Sequence, residues 1–179
     1  MLKKVFILSL ILGFAFLEAR VSNIFAEQIA ENKKYNQTIR KFMAQSYKMT
    51  RLVHKSYAHA VFPSVYKGGL VFGYAQGEGR AYIRGGIWTG NVNISQYTVG
   101  AQLGGSSYSE IIFFKTREAF ETFKLGQLEV SAQSSLVLFA GVSADMNFDK
   151  DVQIYTLSNG GIMIEGTTGT QVFEYTQKP

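Results

Sequence analysis

The side chains able to do chemistry in this 179-residue chain are mostly cations set among aromatics. The run Phe62-Pro63-Ser64-Val65-Tyr66-Lys67-Gly68-Gly69 places Lys67 on a tight, glycine-terminated turn. Arg80 and Arg84 follow in a stretch that alternates with period two, so a strand would carry both on one face, with Tyr82 between them. Guanidinium and ammonium groups bind phosphate oxygens through charge-assisted hydrogen bonds. The amides of Gly68 and Gly69 would add donors, and Tyr66 or Tyr82 suits the headgroup level of a bilayer. The predicted lipid-binding set is therefore Lys67, Gly68, Gly69, Arg80, Arg84, Tyr66 and Tyr82. The same charges also read as an ordinary solvated strand face.

Other chemistry is sparse. The chain has no Cys, which excludes disulfides, thiolate zinc sites, iron–sulfur clusters and a cysteine nucleophile. His54 and His59 stand five apart, and on a helix they would point about 140° from each other, too far for a shared metal. Gly73-Tyr-Ala-Gln-Gly77-Glu78-Gly79 lacks the Lys-Ser/Thr that completes a phosphate cradle, and reads as a tight turn between two strands. Asp145-Met-Asn147-Phe-Asp149-Lys150-Asp151 begins like a calcium loop, yet has Lys150 at the sixth place and Thr156 at the twelfth. A polar β-turn accounts for it better. No Gly-x-Ser-x-Gly elbow occurs, and no spacing singles out an acid/base pair among the 13 carboxylates. We expect no enzyme activity, no cofactor and no metal.

Something must position these groups, and composition limits what it is. With 46% apolar and 14% aromatic residues the chain can bury one ordinary core, and disorder is excluded. A formal charge of +5 is too mild for a nucleic-acid partner. Residues 1–26 carry Lys3 and Lys4, an apolar run from Val5 to Leu17, and then polar residues leading to Ala26. That order predicts a secretory signal cleaved near Ala26, since the run is short of the ~20 residues that span a bilayer. Its removal takes Lys3, Lys4, Glu18 and Arg20 and leaves a mature charge of +3.

Residues 27–59 form a helical lead. From Ala30 to His59 there is neither Gly nor Pro, and Ile39, Phe42, Met43, Tyr47, Val53 and Tyr57 recur near one stripe. One amphipathic helix is expected, or two with a break near Ser46. Its other face holds Arg40, Lys41, Lys48 and Arg51. Residues 60–179 then alternate with period two among frequent glycines. Strands are expected around Leu70–Ala75, Arg80–Arg84, Gln96–Leu103, Glu110–Lys115, Gln127–Ala140, Val152–Leu157, Gly161–Gly166 and Gln171–Tyr175. One short helix interrupts them, capped by Thr116, buried through Phe120 and Phe123 and ended by Gly126. The expected fold is α+β and mostly β: the helical lead packed on an antiparallel sandwich or partial barrel. Glycines inside its strands point to bulges or close backbone approach.

The run Ala60-Val61-Phe62-Pro63-Ser64-Val65-Tyr66-Lys67-Gly68-Gly69 resembles the opening motif of the SYLF lipid-binding domain, also called the yeast-type actin-binding domain. Gly77-Glu78-Gly79, Trp88 after Gly85-Gly86, Val99-Gly100-Ala101-Gln102-Leu103-Gly104-Gly105 and Ser109-Glu110-Ile111-Ile112-Phe113-Phe114-Lys115 follow in that family's order. So do Ala119-Phe120, Ser131-Ala132-Gln133-Ser134-Ser135 and Tyr155 to Gly166, and the likeness spans roughly Tyr57 to Tyr175. It implies binding of anionic phospholipids, and in eukaryotic members phosphoinositide and actin. Bacterial members are commonly exported, and the leader places this chain with them. Asn159-Gly160 and Glu165 depart from the eukaryotic pattern, so inositide selectivity is not implied.

The expected function is thus an exported, periplasmic or envelope-associated, non-enzymatic domain that engages anionic phospholipids at a membrane surface. The alternatives are an envelope scaffold that binds protein partners, or a periplasmic carrier holding lipid inside its β-structure.

Overall fold

The computed structural model describes residues 2–128, 130–131 and 151–178. The chain divides into two compact units, Met1–Asn36 and Gln37–Pro179. The first is the leading part of α1 (Leu2–Met43), with Leu17, Val21, Ile24, Phe25 and Ile29 exposed. Ala26 lies within this helix. No helix among the described residues is long and apolar enough to cross a membrane.

The second unit contains everything else. α1 ends at Met43 on the basic residues Arg40 and Lys41, which suit the negative end of its dipole. The expected break near Ser46 is present: Ser46 caps α2 (Tyr47–Lys55), its side chain accepting from the Met49 amide at 3.2 Å. The helical lead stops sooner than the periodicity suggests, because β1 (Ala58–Gly69) already includes His59.

Four further strand and helix segments follow β2 (Phe72–Ile83): β3 (Ile87–Phe114), α3 (Arg117–Lys124), β4 (Val130–Ser131) and β5 (Val152–Gln177). All pairings are antiparallel. β1 and β2 form a hairpin that turns over Leu70 and Val71. β3 runs along β2 from Ile87 to Val99, passes the hairpin tip, and returns along β1 from Gly104 to Phe114. β5 follows the outer side of β3 throughout, from Phe114 opposite Val152 to Gly90 opposite Gln177. One hairpin is thus nested inside another. The separate strands expected around Gln96–Leu103 and Glu110–Lys115 are one strand, as are the three expected between Val152 and Tyr175. Of the strand expected at Gln127–Ala140, only Val130–Ser131 is described as strand, and the residues after it lie outside the described ones. The acidic turn at Asp145–Asp151 also lies outside them, apart from Asp151.

The sheet is open but curls, so that side chains of strands that are not neighbours in the ladder meet. The Phe62 and Phe173 rings lie 6.1 Å apart, although two strand runs separate them along the ladder. On this concave side Phe62, Phe114 and Phe173 pack with Phe120 and Phe123 of α3. That helix forms as expected, with the Thr116 hydroxyl accepting from Ala119 and Gly126 leaving it at φ +69. Each of these phenylalanines is buried, which contributes about 1.5–3 kcal/mol per side chain. On the convex side, near the strand ends joined to α2, His59 stacks on Tyr82 with centroids 5.4 Å apart, and Lys48 sits 5.8 Å from the Tyr155 ring.

Two details explain the sequence. β1 bulges between Val61 and Ser64, where Pro63 has no amide to give. The Pro63 carbonyl instead accepts from Ser109 Oγ at 2.8 Å and Asn159 Nδ2 at 3.1 Å. Gly77-Glu78-Gly79 is not a turn: it lies inside β2. A Cβ on Gly79 would fall 2.5 Å from the Phe62 ring, so glycine is required there by close approach.

Candidate functional site

The register decides the fate of the predicted cationic cluster. Lys67 stands opposite Ala75 and Ser106 near the hairpin tip, half-buried on the concave side. Arg80 stands opposite Val61, six residues back along β1, or ~20 Å. It points to the convex side, is only 5% exposed, and lays its guanidinium 4.3 Å over the Trp88 ring. Arg84 lies just beyond Ile83, which faces Ala58, so ~30 Å of strand separates it from Lys67. There it donates to the Lys55 carbonyl at 2.8 Å and its amide bonds Tyr57. The three cations are therefore not brought together. The period of two placed Arg80 and Arg84 on one face, but it could not report that α2 and Trp88 occupy that face.

The remaining members divide as well. Gly68 faces Tyr74 and Gly105, and Gly69 faces Gly73 and Gly104. Both glycines belong to a strand paired on each side, so they offer no bare cradle for an anion. Tyr82 is buried beneath His59. Tyr66 alone of the aromatics in that set is open to solvent.

What the structure does bring together is apolar. Leu70, Val71 and Phe72 at the hairpin turn are 65%, 61% and 75% exposed. Phe72 faces Val99 across the ladder, and Tyr74 faces Tyr97 with ring centroids 5.2 Å apart. All four are exposed on the convex side. Tyr66, beside them on β1, and Val172, opposite Ser95 on β5, extend the patch. Behind it the same face turns polar through exposed Gln76, Glu78 and Asn93. A hairpin turn ordinarily carries Gly, Asn, Asp or Pro, so three consecutive large apolar residues there are unusual. That run is the signal of the patch in the sequence, and a period of two by itself reports only a strand.

A second group is polar. On the concave side Glu110 is fully buried beside Gln171, Gln96 and Tyr108. Gln171 Nε2 donates to Glu110 Oε2 at 3.2 Å, and the Tyr108 hydroxyl donates to Gln96 Oε1 at 3.1 Å. Burial pushes the Glu110 carboxyl up to about 8, with the Gln171 bond acting in the other direction. The signal was one carboxylate leading Ile-Ile-Phe-Phe with core-facing parity. Burial lowers His59 to about 4.

Among the described residues no three His, Cys, Asp or Glu side chains are grouped to hold a metal. His54 is exposed on α2 and His59 is buried on β1, so the two are not paired. Comparison with models of known families, with curated proteins and with solved structures finds no match.

Proposed function

We propose that this chain is an exported, non-enzymatic lipid-binding protein that docks on a bilayer through the tip of its nested hairpins. The exposed cluster of Leu70, Val71, Phe72 and Val99, backed by Tyr66, Tyr74 and Tyr97, carries this reading. A contiguous cluster of exposed large apolar side chains on a protein surface marks an interaction site. Its order along the strands suits an interface. Along β2 the Tyr74–Tyr97 pair stands ~7 Å behind the Leu70–Phe72 turn on the same face, a spacing at which tyrosine hydroxyls meet headgroups when the apolar residues enter the interface. Among the described residues near this turn Lys67 is the basic one; it lies half-buried on the concave side, and a basic residue at an anionic surface adds about 1 kcal/mol. Binding is thus led by apolar insertion with a modest anionic preference, in place of a three-cation phosphate clamp.

The order of SYLF-like motifs and the leader-like residues 1–26 support the same class and an exported site of action. The interior supports surface docking over carriage, because phenylalanine rings fill the concave side. Co-sedimentation of the full chain with phosphatidylcholine vesicles, with and without phosphatidylglycerol, tests this reading. Binding to both, stronger with phosphatidylglycerol and lost in Leu70→Asp/Phe72→Asp, is the expected result. No binding to either vesicle, with the same patch mediating capture of a stoichiometric protein partner, would replace it with the scaffold reading.

A further inference from the structure

The buried polar group on the concave side has an arrangement that packing alone does not explain. Glu110 belongs to the arm of β3 that returns along β1, and Gln171 belongs to the far arm of β5. Between those arms lie β1, β2 and the outgoing run of β3. Their hydrogen bond therefore spans the concave interior, not a ladder. Gln171 Nε2 also reaches Gln96 Oε1 at 3.4 Å, and Tyr108 donates to that same oxygen, so Glu110 and Tyr108 of the returning run are tied to Gln171 of β5 and to Gln96 of the outgoing run of β3 that pairs with it. Glu110 Oε1 and Gln171 Oε1 are buried and have no hydrogen-bond partner.

We propose that Glu110, Gln171, Gln96 and Tyr108 form a proton-dependent latch that holds the two arms of the curled sheet closed. A buried carboxylate with no cation beside it is costly, and an un-ionised acid removes that cost while supplying one O–H donor. The carboxylic proton can then satisfy one of the two bare acceptors. The groups around Glu110 bear this out. β1 presents Phe62 and β5 presents Thr156 opposite it, and α3 contributes Phe120 and Phe123 to the same interior. Among the described residues Tyr108 is the other titratable group of the cluster. Lys67, on the same face beyond Val65, is the nearest charge along β1, ~15 Å of strand away. When the arms part, the carboxyl meets water and gives its proton to solvent. Rising pH therefore favours the open form, tenfold per pH unit, between the ordinary carboxyl range and the raised value of Glu110. This device does not depend on the apolar tip, and its failure would leave the membrane reading untouched.

Hydrogen exchange of the full chain from pH 5.5 to 9, expressed as protection factors so that intrinsic rates cancel, tests the latch. Amides of Asn93–Gln96 and Gln171–Tyr175 are expected to lose protection about tenfold per pH unit up to pH 8 and then level off. Amides of Ala58–Val61 should keep theirs. Glu110→Gln should flatten the profile, and Glu110→Asp should retain a slope. Protection that is independent of pH in the wild type would overturn the proposal, and so would loss that is uniform over both sets of amides. The wild-type series decides the matter even if a variant fails to fold.

Discussion

Phe72→Ala separates membrane docking by a clustered tip from mere stickiness of exposed aromatics. Tyr47 supplies the control, because at 82% it is more exposed than Phe72 at 75%. Tyr47 opens α2, whose neighbouring Lys48 lies over Tyr155. Tyr155 is in register with Ile111 and Val61, eight residues or ~26 Å short of Gly69. A tip buried 5–10 Å into an interface cannot carry Tyr47 with it. Moving a phenylalanine side chain fully out of water is worth about 1.5–3 kcal/mol, and three-quarters of this one is available to move. Allowing for the methyl that alanine keeps, Phe72→Ala should cost about 1–2 kcal/mol of binding, a five- to thirtyfold drop in partition coefficient. Tyr47→Ala should change it by less than a factor of about two. The assay is a vesicle titration followed by sedimentation, with circular dichroism to show that both variants fold. Equal losses in the two variants, or no loss in Phe72→Ala, would refute docking by the tip.

Three further outcomes follow from the same geometry. Arg80→Met should leave vesicle partition unchanged, since Arg80 is buried under Trp88, while losing about 1–2 kcal/mol of stability in urea through the cation–π contact. Gly79→Ala forces a methyl onto the Phe62 ring and should cost about 1–3 kcal/mol, measured by denaturant midpoint. His59 stays neutral when folded, so the unfolded chain alone gains its proton as pH falls from 6.5 to about 4. That should remove on the order of 3 kcal/mol of stability across the window. Glu110 works with the opposite sign, losing stability as pH rises from 4.5 to about 8. The two nearly cancel between pH 4.5 and 6.5. Thermal unfolding of His59→Phe over that range should therefore show stability falling with pH where the wild type is flat.

The helices were legible because their determinants are local. Ser46 and Thr116 cap α2 and α3 through their own side chains, and Gly126 ends α3 by adopting a conformation other residues avoid. The period of two was equally local, and it marked β2 and β3 as strands. What it could not carry was length and closure. Nothing between Tyr97 and Lys115 announces that one strand passes round the Leu70–Val71 turn, because that path is set by pairing with residues thirty or more positions away. The cationic cluster failed for the same reason. Spacing along β2 does set the face of Arg80 and Arg84, yet the distance from Lys67 depends on register, and burial depends on Trp88 and α2 arriving from elsewhere. The chain's own order of residues thus determined which segments are helix and strand and which way their side chains alternate. The curl of the sheet decided that Glu110 would be sealed against Gln171 while Phe72 stays in water, since burial is a property of what folds over a residue, not of the residue itself.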